Sequence, residues 1–246
     1  MISALLVCSG LMVGLTTPRA HAEDSAGDNL RVLFIGNSFT RFNNLPRMVR
    51  RLLDADGVGP AARVRFETRT GATLRRLWQS REVRTQISSG GYTHVVLQGH
   101  SLRPANHPEE LAEYARRLDA LVDEAGGHTV LYATWARIRH ADDVPPELAS
   151  PAAMQARIRT VYGELGRELA ADVAPVGDAF ARAGATASEI TLYRDDGIHP
   201  TPAGTYLAAC VFYRVLTGRA ASGLSYRPWP MRRATAARLQ EIADGE

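Results

Sequence analysis

Residues 31–40 read Arg-Val-Leu-Phe-Ile-Gly-Asn-Ser-Phe-Thr, and no other stretch constrains the fold as tightly. Val32 to Ile35 form an apolar run rich in β-branched and aromatic residues. It is too short for a helix, so it predicts a buried strand. Gly36-Asn37-Ser38 predicts the turn at its carboxyl end. In an open α/β sheet that end borders the crevice where ligands and catalytic groups collect. Ser38 is therefore a candidate nucleophile, and also a candidate cap for the helix that follows.

The rest of the chain repeats the alternation of strand and helix. Thr93 to Gln98, His128 to Thr134 and Asp172 to Val176 read as further strands. Ala62 to Thr68 sets Val64, Phe66 and Thr68 against arginine and glutamate, the pattern of a strand with one wetter face at a sheet edge. Helical patterns run from the cap Asn43-Asn44-Leu45-Pro46 to about Asp54, from Gly71 through Trp78, and over Glu109 to Ala125. Others cover Ala152 to Ala170, Asp178 to Ala183, and Pro202 to Leu216, read as the last helix. With no internal repeat, this order predicts a three-layer α/β/α sandwich around a mainly parallel sheet of about five strands.

The 246 residues suit a signal segment over residues 1–22 followed by one domain over residues 23–246. Ala4 to Leu15 is apolar and leads to a small-x-small site at Ala20-His21-Ala22, so export and a secreted or periplasmic address are expected. The apolar run is too short to span a bilayer securely. All 29 basic residues are arginine, scattered among 26 acidic ones for a net charge of +3, with no linear stripe of the kind that marks nucleic-acid binding. Of Cys8 and Cys210, removal of the signal leaves only Cys210, expected to be a buried thiol.

Asp195-Asp196-Gly-Ile-His199-Pro200 stands just before the helix at Pro202. Pro200 disfavours helical backbone at His199, which predicts a loop. A serine hydroxyl needs an imidazole to take its proton and an acceptor to orient that imidazole. Asp196 and His199 can supply both, or they can be a solvated pair or half of a metal site. No H-E-x-x-H or clustered His/Cys spacing occurs, so neither metal nor cofactor is expected. G-x-S-x-G is also absent, which argues against the α/β-hydrolase arrangement.

Together, Gly36-Asn37-Ser38 and Asp196-Gly-Ile-His199 resemble the SGNH or GDSL-like serine hydrolase superfamily, in a branch with a Gly-Asn-Ser-Phe-Thr first block. The resemblance implies a flavodoxin-like fold, Ser38 as nucleophile, His199 as general base and acid, and Asp196 as its orienter. It also implies an oxyanion hole from the backbone N–H groups of Ser38 and Gly71. The third donor departs from the pattern. Family members carry Gly-x-Asn-Asp after the third strand, and here Gln98-Gly99-His100-Ser101 stands there. Gln98 is the preferred donor and Ser101 the alternative.

Asn37, Trp135 and Arg137 are candidate substrate contacts. Trp135 can stack on a sugar or pack in the core, and Arg137 can meet an acidic substrate or stay solvated. The leading expectation is a metal-independent esterase acting on small acyl, chiefly acetyl, esters of small molecules or glycans. An acyltransferase with the same three residues, or a non-catalytic carbohydrate- or anion-binding module on the same fold, stands beside it.

Overall fold

Each apolar run becomes a strand in the computed structural model, which describes residues 30–57, 62–139 and 144–245. The signal segment expected over residues 1–22 lies outside the described residues. The strands are β1 (Arg31–Gly36), β2 (Arg63–Thr68), β3 (His94–Leu97), β4 (His128–Tyr132) and β5 (Asp172–Ala174). They form one sheet in the order β2-β1-β3-β4-β5. The sequence predicts a mainly parallel sheet; all four strand pairings are parallel. β2 takes the edge position expected from its mixed faces, with Phe66 left 46% exposed.

The helices are α1 (Ser38–Arg41), α2 (Leu45–Ala55), α3 (Leu74–Gln79), α4 (Arg81–Ser89), α5 (Arg103–Asn106), α6 (Pro108–Glu124), α7 (Pro151–Leu169), α8 (Val176–Thr186), α9 (Pro202–Thr217) and α10 (Arg233–Asp244). Alternation along β1 divides the core in two. Val32 and Phe34 face α2, α8, α9 and α10, and Leu33 and Ile35 face α3, α4, α6 and α7. Both faces of β1 are buried for that reason, which is why its sequence is apolar without interruption.

Three helices escape the sequence pattern: α4, α10 and the four-residue α5. α4 buries only Val83 and Ile87, an apolar stripe too thin to register as a period. The buried face of α10 consists of Ala236, Leu239, Gln240, Ile242 and Ala243, and small residues give little contrast with the exposed side. The consequence for α9 is large. It is not the last helix but an inner one, packed against both α2 and α10, and every residue from Gly204 to Tyr213 is buried. Cys210 lies within it, and burial pushes its thiol pKa upward. Among the described residues no helix is long and apolar enough to cross a membrane.

Strand order makes the carboxyl ends of β1 and β3 neighbours at the point where the chain reverses its direction of growth across the sheet, the usual place for a ligand crevice in this topology. Behind that point, Phe212 of α9 packs its ring edge-on to Phe34, at 5.0 Å between centroids, and to Tyr132, at 4.8 Å. Phe212→Ala is expected to lower unfolding free energy by about 3–5 kcal/mol, from lost transfer energy and the cavity left behind. Urea denaturation followed by far-UV circular dichroism measures this.

Candidate active site

Glycine ends β1 because no other residue fits there. A Cβ on Gly36 would lie 2.5 Å from both Gln98 Oε1 and Thr40 Oγ1. Gln98, at the end of β3, is fully buried, and its Oε1 accepts the Asn37 N–H (2.8 Å) and the Thr40 hydroxyl (3.1 Å). Its Nε2 donates to the Gly99 carbonyl. Asn37 caps α1 by accepting the Phe39 N–H (3.1 Å) and donates to the carbonyls of Ala72 (3.0 Å) and Gly99 (3.4 Å). One buried side chain thus ties together the segments that follow β1, β2 and β3. Ser38 comes next, as the first residue of α1.

The loop carrying His199 is fixed just as densely. Asp196 Oδ1 accepts the N–H groups of Ile198 (2.8 Å) and His199 (2.9 Å), which folds the Asp-x-x-His turn on itself. Arg194 N–H donates to the His199 carbonyl (2.8 Å), and Trp135 Nε1 donates to the Ile198 carbonyl (2.9 Å). From α1's side, Asn43 Nδ2 donates to the Pro200 carbonyl (3.1 Å) and to Thr205 Oγ1 (2.8 Å). Asn43 and Asn44 both have positive φ, 49° and 56°, which asparagine tolerates better than most residues.

These supports bring three side chains into line. His199 Nε2 lies 3.0 Å from Ser38 Oγ, across 161 residues of sequence, and His199 Nδ1 lies 2.7 Å from Asp196 Oδ2. The Phe42 ring stacks on the imidazole at 4.4 Å, with the Arg194 guanidinium 5.3 Å from the Phe42 centroid. Burial works upward on the Asp196 pKa, but the His199 ring and the two backbone N–H groups outweigh it and hold the carboxyl down at about 2. An ionised Asp196 keeps the proton on His199 Nδ1 and leaves Nε2 to accept from the serine hydroxyl. A cleft of about 440 Å³ opens beside this line, bounded by Asn37, Ser38, Arg41, Phe42, Thr68, Thr70 and His199, so Asn37, a candidate substrate contact by sequence, borders it. Among the described residues, no group of three or more His, Cys, Asp or Glu is arranged to hold a metal ion.

No family model matches the chain, and no curated protein does. Solved structures do match. A protein from Slackia heliotrinireducens assigned to the SGNH hydrolases is 29% identical, superposes with a TM-score of 0.64, and aligns over 76% of this chain and 99% of its own. The chain has the SGNH/GDSL-like hydrolase fold. A DUF4886 family protein from Bacteroides uniformis is 18% identical at a TM-score of 0.68, covering 89% of this chain and 94% of that one. An acetyl xylan esterase is 14% identical at 0.54, covering 75% and 98% respectively.

Within this SGNH-type fold several expected residues take other places. The amide of Gln98, read from sequence as the third oxyanion donor, points back into the chain and is bound to Gly99. Ser101, the alternative, is buried, and its Oγ accepts from Arg137 Nε (3.2 Å) and Nη2 (3.1 Å). Arg137, expected over the cleft, is held by that contact. Trp135 is 1% exposed and stacks on Phe180 at 4.1 Å, so no sugar can reach it. The polar atoms of the Asn37 side chain are spent on backbone groups. Gly71 occupies the third position of a tight turn closed by Ala72 N–H on the Arg69 carbonyl (3.0 Å), with the φ of +64° that a type II turn requires there. Gln98 at the strand end can equally be read as a hydrogen-bonding anchor for a neighbouring loop, and that is the role it takes; nothing in the sequence pointed to Phe42 or to the contacts of Asn43. The Asn-Asn pair signalled only its backbone, because two consecutive asparagines permit left-handed conformation.

Two outcomes follow. Gln98→Leu leaves the Asn37 N–H buried without an acceptor and is expected to cost about 1–3 kcal/mol of unfolding free energy, measured by urea titration. A residue serving only as a catalytic donor would show no such loss. Asp196 is held below the ordinary value of about 3.9, so its contribution to stability is present above about pH 4 and disappears as pH falls toward 2. The stability gap between wild type and Asp196→Asn is therefore expected to be constant near neutral pH and to close between about pH 4 and 2.

Proposed function

We propose that the protein is a serine hydrolase that cleaves small acyl esters through a covalent acyl-enzyme. The observation that carries this reading is the unbroken line from Ser38 Oγ to His199 Nε2 to Asp196, at 3.0 and 2.7 Å, beside an open cleft. Ser38 Oγ attacks the ester carbonyl carbon as its proton passes to His199 Nε2. The alkoxide leaving group then takes that proton as the C–O bond breaks. A water enters, gives its proton to Nε2, attacks the acyl-enzyme and releases the carboxylic acid, and Ser38 regains its proton. Asp196 stays ionised throughout and stabilises the transient imidazolium.

The developing oxyanion is met by the N–H groups of Ser38 and Gly71. The first starts a helix and the second sits in a turn fastened to Asn37 through the Ala72 carbonyl. Acetyl esters of carbohydrates are the proposed substrates. The likeness to an acetyl xylan esterase and an open cleft walled by Thr68, Thr70 and Arg41 support them. The signal segment expected over residues 1–22 agrees with an extracellular polymer as target.

A fluorophosphonate probe is expected to label wild-type protein at Ser38, located by peptide mass mapping. Turnover of p-nitrophenyl acetate is expected to fall by on the order of 10⁴-fold in Ser38→Ala and in His199→Ala. Undiminished turnover in Ser38→Ala refutes the mechanism.

A further inference from the structure

Charge in this protein is balanced in number but not in space. At the carboxyl ends of α2 and α10 the carboxylates are engaged: Asp244 by Arg214, Glu241 by Arg238, Asp56 by Arg219 and Asp54 by Arg50. Arg47, Arg51, Arg227, Arg232 and Arg233 make no ion pair with a carboxylate among the described residues. Arg227 Nε donates to the Met231 carbonyl (3.1 Å), which keeps that side chain at the loop and leaves its terminal nitrogens available. Arg227 and Arg233 flank a groove of about 330 Å³ that also includes Leu224, Tyr226 and Gln240 and has no acidic residue in its lining.

Two residues on from Arg227, Trp229 is 94% exposed, the largest exposure among the exposed large hydrophobics of the described residues. Tryptophan normally finds cover, so a fully presented indole among unpaired guanidinium groups is an unusual surface for a protein of net charge +3. The groove is rigid. Gln240 is buried and donates to the Tyr206 hydroxyl (2.7 Å) and the Leu224 carbonyl (2.9 Å), and the Tyr206 hydroxyl donates to the Tyr226 carbonyl (2.7 Å). Tyr206 lies about one turn into α9, the helix that begins just after His199. α2, which packs against α9, carries Arg47 and Arg51.

We propose that this groove binds an anionic polysaccharide, with Trp229 stacking on a sugar face and Arg227 and Arg233 meeting its carboxylates. The planar fork of arginine pairs with carboxylate through two parallel hydrogen bonds, and an exposed indole offers the flat apolar face that a pyranose ring covers. A membrane surface fits less well. The other exposed large hydrophobics, Phe66 on the sheet-edge strand and Ile138 beside the histidine loop, lie on other elements, so no apolar belt surrounds Trp229. Binding here does not depend on turnover at Ser38.

Affinity electrophoresis through gels containing polygalacturonate, alginate or neutral galactan tests the proposal. Wild type and Ser38→Ala are expected to be retarded by at least one of the two acidic polymers and not by galactan, with retardation weakening as salt is raised. Trp229→Ala and the double variant Arg227→Ala/Arg233→Ala are expected to lose about tenfold or more in affinity. Their melting temperatures should match wild type, since all three side chains are exposed. Absence of retardation by either acidic polymer, undiminished retardation of the variants, or tighter binding to phosphatidylglycerol vesicles or duplex DNA overturns it. Because Ser38→Ala is an arm of the binding assay, failure of this groove and failure of the hydrolase reading are read separately.

Discussion

The amide oxygen of Gln98 is the point on which the site turns. It accepts two hydrogen bonds from the segment after β1 in a place water does not reach, where an unmade bond costs far more than a made one returns. That demand fixes the backbone between Gly36 and Thr40, excludes any side chain at Gly36, and orients Asn37 to grip the segments after β2 and β3. Ser38 inherits its position from these constraints and contributes none of them. Ser38 is partly exposed while its neighbours on both sides are buried.

The partner half of the site follows a different logic. Asp196 uses one oxygen to fold its own loop and the other to hold the His199 ring, so the same charge shapes the backbone and selects the tautomer. Trp135 and Asn43 then fasten that loop from outside it, and the Arg194 N–H closes it from within. Aromatic packing continues outward from the ring through Phe42 and Phe39 to Trp135 and Phe180. The imidazole is thus mounted on the core, the fixed placement that its proposed role as general base requires.

The arginines show how far linear sequence and surface field can differ. Spread along the chain they look like background, alternating with acids in near balance. Folding pairs some of them, as in Arg116 with Glu168 and Arg159 with Asp178, and those it leaves without a carboxylate include Arg47 and Arg51 of α2 and Arg227, Arg232 and Arg233 at the approach to α10. A charge patch is a property of which residues find partners.

The sequence alone determined the layered α/β class, the edge position of β2, and the segments that carry Ser38, Asp196 and His199. Strand periodicity, glycine breaks and the Asp-x-x-His-Pro turn are local signals, written within a few residues of one another. Only the tertiary structure decided that Gln98 anchors the serine turn, that Trp135 supports the histidine loop from inside the core, that Arg137 covers Ser101, and that α9 is an inner helix flanked by α10. Each of these depends on what lies across the sheet or in the next layer. A glutamine, a tryptophan or a thin amphipathic helix takes its role from partners tens of residues away, and no local pattern encodes that contact.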